Sequence, residues 1–336
     1  MNDRVYLRAI PAQTGRLGSL PLAGGPIGFS EVAVHRRGAE VEVLPVDAIE
    51  SLFGEDRLVR LTAARQRFSG LSMSRPNVMA VINVTPDSFS DGGVNREVST
   101  AISHGMSQLE AGADLLDIGG ESTRPGAEPV SAEEELDRVL PVIEGLIAAG
   151  CSAPISIDTR KSTVASAALA AGAVLFNDVS ALTYDPASIS ISAPAYCLMH
   201  AQGDPRTMQK NPVYEDVLLD IYDFLEARVV AAEAAGIHRS CLSIDPGIGF
   251  GKTLDHNLAL IKGLGLFHDL GCPLLLGASR KRFIGTLSEV SEASKRGPGS
   301  IAVALWGAAQ GAHILRVHDV AETVQALRVW RALQEG

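Results

Sequence analysis

Eight short apolar runs after position 74 of this 336-residue chain each end on, or one step past, a polar residue of a kind that binds or reacts. In chain order these residues are Asn83; Asp117, followed by Thr123 and Arg124; Asp158; Asn177 and Asp178; Met199 and His200; Asp245; Ser279, Arg280 and Lys281; and Arg316 and His318. That loops are polar accounts for charges between elements. It does not account for Asp158, Asn177 and Asp245, which follow apolar runs directly and are expected to be buried. A buried carboxylate is costly unless a ligand or a donor satisfies it. The set sorts into two chemistries. Asp158, Asn177 and Asp245 suit a flat heterocycle rich in N–H groups, pterin-like or guanine-like, paired through two bonds at once. Asn83, Arg124, Arg316 and His318 are donors, two of them permanently cationic, and suit phosphate or pyrophosphate. Lys281 can serve either side.

The elements that must carry these residues are legible from periodicity. Strand-like runs fall at 78–82, 114–118, 155–157, 174–176, 195–199, 241–244, 273–276 and 313–317. Amphipathic or Ala-rich stretches at 97–111, 131–149, 162–171, 213–235, 254–264, 299–309 and 320–333 read as helices between them. Ser131 with Glu134 has the pattern of a capping box. Eight strand–helix units with polar groups at every strand end predict a (β/α)8 TIM barrel, in the α/β class, with its site at the C-terminal mouth. A doubly wound open sheet is the alternative, because periodicity does not reveal closure.

Residues 1–74 stand apart. A Gly/Pro-rich start is followed by a strand pair at 29–35 and 41–46 and a short helix near 59–67. This small N-terminal accessory segment carries no evident chemistry. Its apolar stretches need a partner, and the N-terminal face of the barrel is the expected one; residues 75–336 would form the barrel.

Composition narrows the function. A net charge of −10 argues against a nucleic-acid partner. No apolar run is long enough to span a bilayer, and the N-terminus lacks the core of a secretory signal. The four cysteines are scattered without metal spacing, which fits reduced residues of a cytoplasmic protein. Gly247–Thr253 is not a phosphate-binding P-loop, since the required glycine would be residue 246, which is Pro. Gly277–Lys281 lacks the second glycine of a nucleophile elbow, and no histidine pair has metal-ligand spacing.

Read together, NVTPDSFSDGG (83–93), DIGGESTRPGA (117–127), SIDTRK (156–161), NDVSAL (177–182), LMHAQGDPRTMQ (198–209), DPGIGFGK (245–252), GASRK (277–281) and RVHDV (316–320) resemble dihydropteroate synthase, the folate-pathway member of the pterin-binding barrel family. The resemblance covers 75–336. It implies a transferase that joins 6-hydroxymethyl-7,8-dihydropterin diphosphate to 4-aminobenzoate, releasing diphosphate and 7,8-dihydropteroate. It places the pterin on Asp158, Asn177, Asp245 and Lys281, with Met199 nearby, and the diphosphate on Asn83, Arg124, Arg316 and His318, with Mg2+ held at Asn83. Aminobenzoate would stand near Thr123, Arg124, Pro125, Phe250 and Lys281. Asp158, Asp245, Lys281 and Asn83 would carry catalysis, the two carboxylates stabilising a cationic pterin, while loops 84–95 and 119–130 exclude water. A homodimer and a place among sulfonamide targets belong to the same expectation. Arg282 departs from the pattern, since many members carry Ser there. A pterin-dependent methyltransferase would not need the complete STRPG and SRK loops, and a non-catalytic pterin-binding paralogue would not keep Asn83, Arg124, Arg316 and His318.

Overall fold

The computed structural model describes residues 4–12, 18–85, 94–122, 127–203 and 207–334, the side chains of 94–96 excepted. It begins with an antiparallel sheet of β1 (Tyr6–Ala12), β2 (Leu20–Pro21), β3 (Gly28–His35) and β4 (Glu42–Pro45), in which β3 pairs with all three others. The expected strand pair is thus β3 and β4. β1 was not foreseen, because Pro11 and a register shift at Ile10/Pro11 interrupt its alternation. The helix expected at 59–67 is corrected to two helices further upstream, α1 (Asp47–Phe53) and α2 (Glu55–Thr62). Gly54 joins them with φ 91°, a conformation that glycine adopts freely, and Ala63 turns extended after Thr62.

From Asn77 on, strand and helix alternate: β5 (Asn77–Asn83), α3 (Val94–Glu110), β6 (Leu115–Gly119), α4 (Ala132–Ala148), β7 (Ile155–Asp158), α5 (Ser162–Ala170), β8 (Leu175–Asp178), β9 (Ala195–Met199), α6 (Val217–Ala234), β10 (Leu242–Asp245), α7 (Leu254–Lys262), β11 (Leu275–Leu276), α8 (Arg282–Ser288), α9 (Gly297–Ala309), β12 (Ile314–Val317) and α10 (Val320–Gln334). The eight strands are parallel neighbours in the order β10-β9-β8-β7-β6-β5-β12-β11. The ring closes where Ile244 bridges Leu274 and its N–H donates to the Pro273 carbonyl at 3.0 Å. The fold is therefore the (β/α)8 barrel rather than the open sheet. Strands packed on both faces must be apolar throughout, and β5 and β6 are buried along almost their whole length. Ser131 caps α4 by accepting from the Glu134 N–H at 3.1 Å, but the Glu134 carboxylate turns to Arg138, so only half of the expected capping box forms.

The barrel interior has two layers. The lower one is apolar: Met79, Leu115, Leu175, Ala195, Cys197, Leu275 and Ile314 pack on Phe68 and Met73, which arrive from the segment before β5 and plug the N-terminal end. The upper one is polar and follows from the strand register. Asn83, Gly119, Asp158 and Asn177 stand side by side on β5 to β8. Crossing to β9 and β10, the same row falls on Cys197 and Ser243, so Met199 and Asp245 stand two residues higher on the same face.

The N-terminal sheet has its own core of Leu7, Ala9, Phe29, Val32, Val34, Ile49 and Leu61. It docks on α6 and on the turn Leu264–Leu270. Arg4 and Arg37 pair with Asp223 of α6, Arg37 also with Asp220 at 2.6 Å, and Tyr6 meets Tyr222 edge-on at 5.3 Å. Arg57 reaches the fully buried Asp269 at 2.5 Å, which also accepts from the Tyr222 hydroxyl at 3.0 Å.

Candidate active site

Arg316 lies at the centre of the polar layer. Its Nε donates to Asp117 Oδ2 at 2.6 Å and an Nη to Asp158 Oδ2 at 2.7 Å. Asn177 Nδ2 donates to the same Asp117 carboxylate at 3.1 Å. Burial works against the Arg316 charge, but Asp117 and Asp158 outweigh it and raise its pKa. Asp158 is pushed up to about 7 by burial, with Arg316 pulling it down and Asp117 pushing it further up. Burial likewise takes Asp245 up to about 6, opposed by the Gly247 N–H, which donates to its Oδ1 at 2.7 Å, and by Lys281, Lys252 and Arg316. A site with two carboxyls held near the middle of the pH range is a candidate for handling charge that appears during a reaction.

The loop after β10 forms one wall. Gly247, Gly249 and Gly251 all have left-handed φ, and a Cβ on Gly247 would come within 1.8 Å of the His200 carbonyl. Only glycine permits this approach. The loop presents Phe250, whose ring centroid is 3.9 Å from Lys281 Nζ, and it is tied by Gln209 Nε2 to the Gly249 carbonyl at 2.6 Å. Lys281 itself stands between β11 and α8, at the N-cap of α8. Next to it Arg280 pairs with Asp319, and Ser279 Oγ lies 3.1 Å from His318 Nδ1.

These groups surround a cleft of about 750 Å3 at the C-terminal mouth. Asn83, Asp158, Phe250, Lys281, Arg316 and His318 line it, as do Thr85, Glu121 and Lys252. Asn177, Met199 and Asp245 are buried at their strand ends, 4–6% exposed. Thr123, Arg124 and Pro125 lie outside the described residues, as do residues 86–93, most of the loop at 84–95 expected to exclude water. Two strand-end residues serve the fold. Asp178 accepts from Ser180 and Leu182 N–H groups, and His200, kept neutral by burial and then by Lys252, packs edge-on against Phe224. The expected separation into a heterocycle side and an anion side is not clean, because Arg316, assigned to the anion, is held by two carboxylates.

Sequence reasoning named Asp117 at its strand end without giving it a part, and passed over Glu121 and Lys252. Asp117 has the same strand-end position as Asp158 and was legible by that criterion. Glu121 accepts from Arg160, from Lys161 and from the Val130 N–H, and burial is more than offset by the two cations, which hold it below the usual carboxylate range. Lys252 ends the glycine-rich stretch after β10, where a lysine reads as solvated, and only its burial at 3% exposure marks it. Among the described residues no group of three or more His, Cys, Asp or Glu is arranged to hold a metal. Asn83 nevertheless offers a hard oxygen into the cleft, and Mg2+ binds through one or two protein oxygens plus substrate phosphates and water, so the donor set fits that ion in company with a diphosphate.

Residues 79–318 match the family described as pterin binding enzyme. The dihydropteroate synthase of Escherichia coli strain K12 is 47% identical over 267 residues, covering 79% of this chain and 94% of the relative. That of Neisseria meningitidis serogroup B is 48% identical over 271 residues, covering 78% and 94%. Among solved structures, the Xanthomonas albilineans dihydropteroate synthase with 4-aminobenzoic acid superposes with a TM-score of 0.75 at 49% identity, covering 80% of this chain and 97% of that one. A second structure of that enzyme, in complex with 7,8-dihydropteroate, gives 0.70 at 43%, with the same coverage.

Proposed function

This chain belongs to the dihydropteroate synthases, transferases of folate biosynthesis within the pterin-binding enzymes, and from that premise we propose how its own residues join 6-hydroxymethyl-7,8-dihydropterin diphosphate to 4-aminobenzoate. The observation that carries the reading is the register row of Asn83, Asp158 and Asn177 with Arg316 at its centre. Asp158, Asn177 and Asp245 receive the N–H edge of the pterin, with Met199 beside it. Asn83, Arg316 and His318, with Arg124, receive the diphosphate. Phe250 and Lys281, with Thr123, Arg124 and Pro125, receive the aminobenzoate.

The bond from the pterin methylene to the diphosphate oxygen breaks, and the electron pair leaves with the diphosphate. Arg316 and His318 stabilise that growing charge. Mg2+, held by Asn83 together with diphosphate oxygens, would add to this neutralisation when bound. The cation left on the pterin is stabilised by the Asp158 and Asp245 carboxylates. The amine nitrogen of 4-aminobenzoate then bonds to the methylene and releases one proton, which becomes available to the departing diphosphate or to solvent. The nitrogen turns acidic as its bond forms, so the step needs no strong general base.

Residues 1–74 act in this reading as an accessory extension of the barrel formed by 75–336. A homodimer is supported by α9, thirteen residues without a charge, on which Trp306 is 47% exposed. The unpaired thiols Cys151, Cys197, Cys241 and Cys272 favour a cytoplasmic site of action. The test of function is to incubate the protein with both substrates and Mg2+ and follow 7,8-dihydropteroate and diphosphate. Stoichiometric, Mg2+-dependent product is expected from the wild type, with a large loss in Lys281→Ala. Tight binding of the pterin diphosphate without product would instead mark a non-catalytic binding protein.

A further inference from the structure

The reading above leaves Lys252, a cation of the cleft, without a part. Lys252 is 3% exposed and forms no ion pair among the described residues. A buried ammonium in that condition is costly, and a side chain kept for volume alone would be Met or Leu. Its contacts are specific. Nζ lies 3.0 Å from the Phe250 carbonyl, 3.0 Å from His200 Nδ1 and 3.4 Å from the His200 carbonyl. It thereby ties the loop after β10 to the residue that follows β9.

The rest of this loop is held in the same way. Gly251 is left-handed, and a Cβ there would meet the Gln202 carbonyl at 2.5 Å. The Tyr214 hydroxyl donates to the Gly251 carbonyl at 2.8 Å, and the Gly249 N–H donates to Asn257 Oδ1 at 2.7 Å. Each tie fixes a neighbour of Phe250; Lys252 holds the carbonyl of Phe250 itself. The ring that this places is the one packed on Lys281.

We propose that Lys252 is a positioning residue for the arylamine: it holds the Phe250 carbonyl and so sets the Phe250 ring against Lys281, and it supplies one of the positive charges that face Asp245. This rests on the reading that 4-aminobenzoate stands at Phe250 and Lys281. The charged and titratable groups facing Lys252 are Asp245 from β10, Lys281 from the β11–α8 connection and His200 after β9. Asp245 is faced in addition by Arg316 from β12 and Cys197 from β9. Burial lowers Lys252 to about 7, with Asp245 opposing that shift. It is therefore still mostly protonated where Asp245, at about 6, takes up its proton. Removing the ammonium takes a positive charge from beside Asp245 and raises the pKa of that carboxyl.

The test compares wild type, Lys252→Met and Lys252→Arg, each checked for thermal unfolding, by the KM of each substrate and the pH dependence of kcat/KM. Lys252→Met is expected to raise KM for 4-aminobenzoate about tenfold, to leave KM for the pterin diphosphate within about twofold, and to move the acid limb to higher pH. Lys252→Arg restores the acid limb while its bulkier head still raises KM for the arylamine. A parallel rise in both KM values, or an acid limb that stays in place in Lys252→Met, overturns the proposal. If Lys252→Met does not fold, Lys252→Arg decides. An arylamine-only KM effect with the wild-type acid limb supports the proposal, and any other pattern overturns it. A wild type that makes no product overturns the functional reading beneath it, and that outcome is distinct from a wild type that turns over with the wrong KM split.

Discussion

In the proposed reaction, much of the chemistry falls on one carboxyl, that of Asp158. It is buried, bonded to Arg316 at 2.7 Å, and held near 7 by burial against the pull of that arginine. In the proposed reaction its ionised form stabilises the pterin cation, so kcat/KM for the pterin diphosphate should fall as pH drops through the range of about 7 to about 6 set by Asp158 and Asp245. Asp158→Asn keeps the shape and removes the charge. We expect kcat to drop by about two to three orders of magnitude, with the acid limb altered, in steady-state assays across pH. Phe250→Ala belongs to the same scale. It removes the face on which Lys281 rests, and should raise KM for 4-aminobenzoate by about tenfold while sparing the KM of the other substrate.

At the scale of elements, the seam between the barrel and the turn Leu264–Leu270 holds a buried histidine pair, His268 and His313, with ring centroids 5.7 Å apart. His268 bonds the Gln310 carbonyl at 2.8 Å and is fully buried. Burial first, then Arg65, lowers it to about 4. In the unfolded chain the same group titrates near 6.5. Between these values the unfolded state binds more protons, so stability rises with pH. The contribution is complete above about 6.5 and is lost as pH falls toward 4, on the order of 3 kcal/mol for this single group. His268→Gln should flatten this dependence. Denaturant unfolding of both proteins at pH 7.5 and pH 5 measures it, and an equal pH dependence in the two would contradict the assignment. The elements themselves were largely legible. β9 runs over the expected residues, and α5, α7 and α10 begin where the helical periodicity begins. Their ends were less so: α6 starts at Val217 rather than 213 because Asp216 caps it, accepting from Leu218 and Leu219 N–H groups.

The whole molecule is a barrel with its lower end stoppered and one flank clasped by the N-terminal sheet. Phe68 is 1% exposed and packs with Met79, Leu115, Leu175 and Ile314 from four strands. Phe68→Ala opens a cavity at the convergence of those strands and should cost about 3–5 kcal/mol in denaturant unfolding, with kcat little changed in the fraction that stays folded. Arg57→Met leaves Asp269 buried with Tyr222 as its remaining side-chain partner. A loss of about 3 kcal/mol is expected, because the cost is that of an uncompensated charge rather than of the pair itself. Little or no loss in either variant would mean that the extension is not a structural part of the barrel.

Sequence alone determined what is local. Strand and helix identity followed from apolar period, and the expectation that Asn83, Asp158, Asn177, Asp245 and Lys281 bind ligand followed from residue type at strand ends. The family followed from eight short motifs in order. Tertiary structure decided everything that depends on distant chain segments meeting. Closure of the ring rests on Ile244 against Leu274, which no periodicity encodes. The seat of Arg316 between Asp117 and Asp158, some 158–199 positions away along the chain, exists only because barrel register brings β12, β6 and β7 around one axis. Lys252 becomes informative only when its burial is seen, since a lysine in a glycine-rich loop is by default a solvated one. The clasp of Arg4, Arg37 and Arg57 on the acidic flank formed by α6 and Asp269 is of the same kind. Charge complementarity between two surfaces is a property of their placement, and sequence order does not contain it.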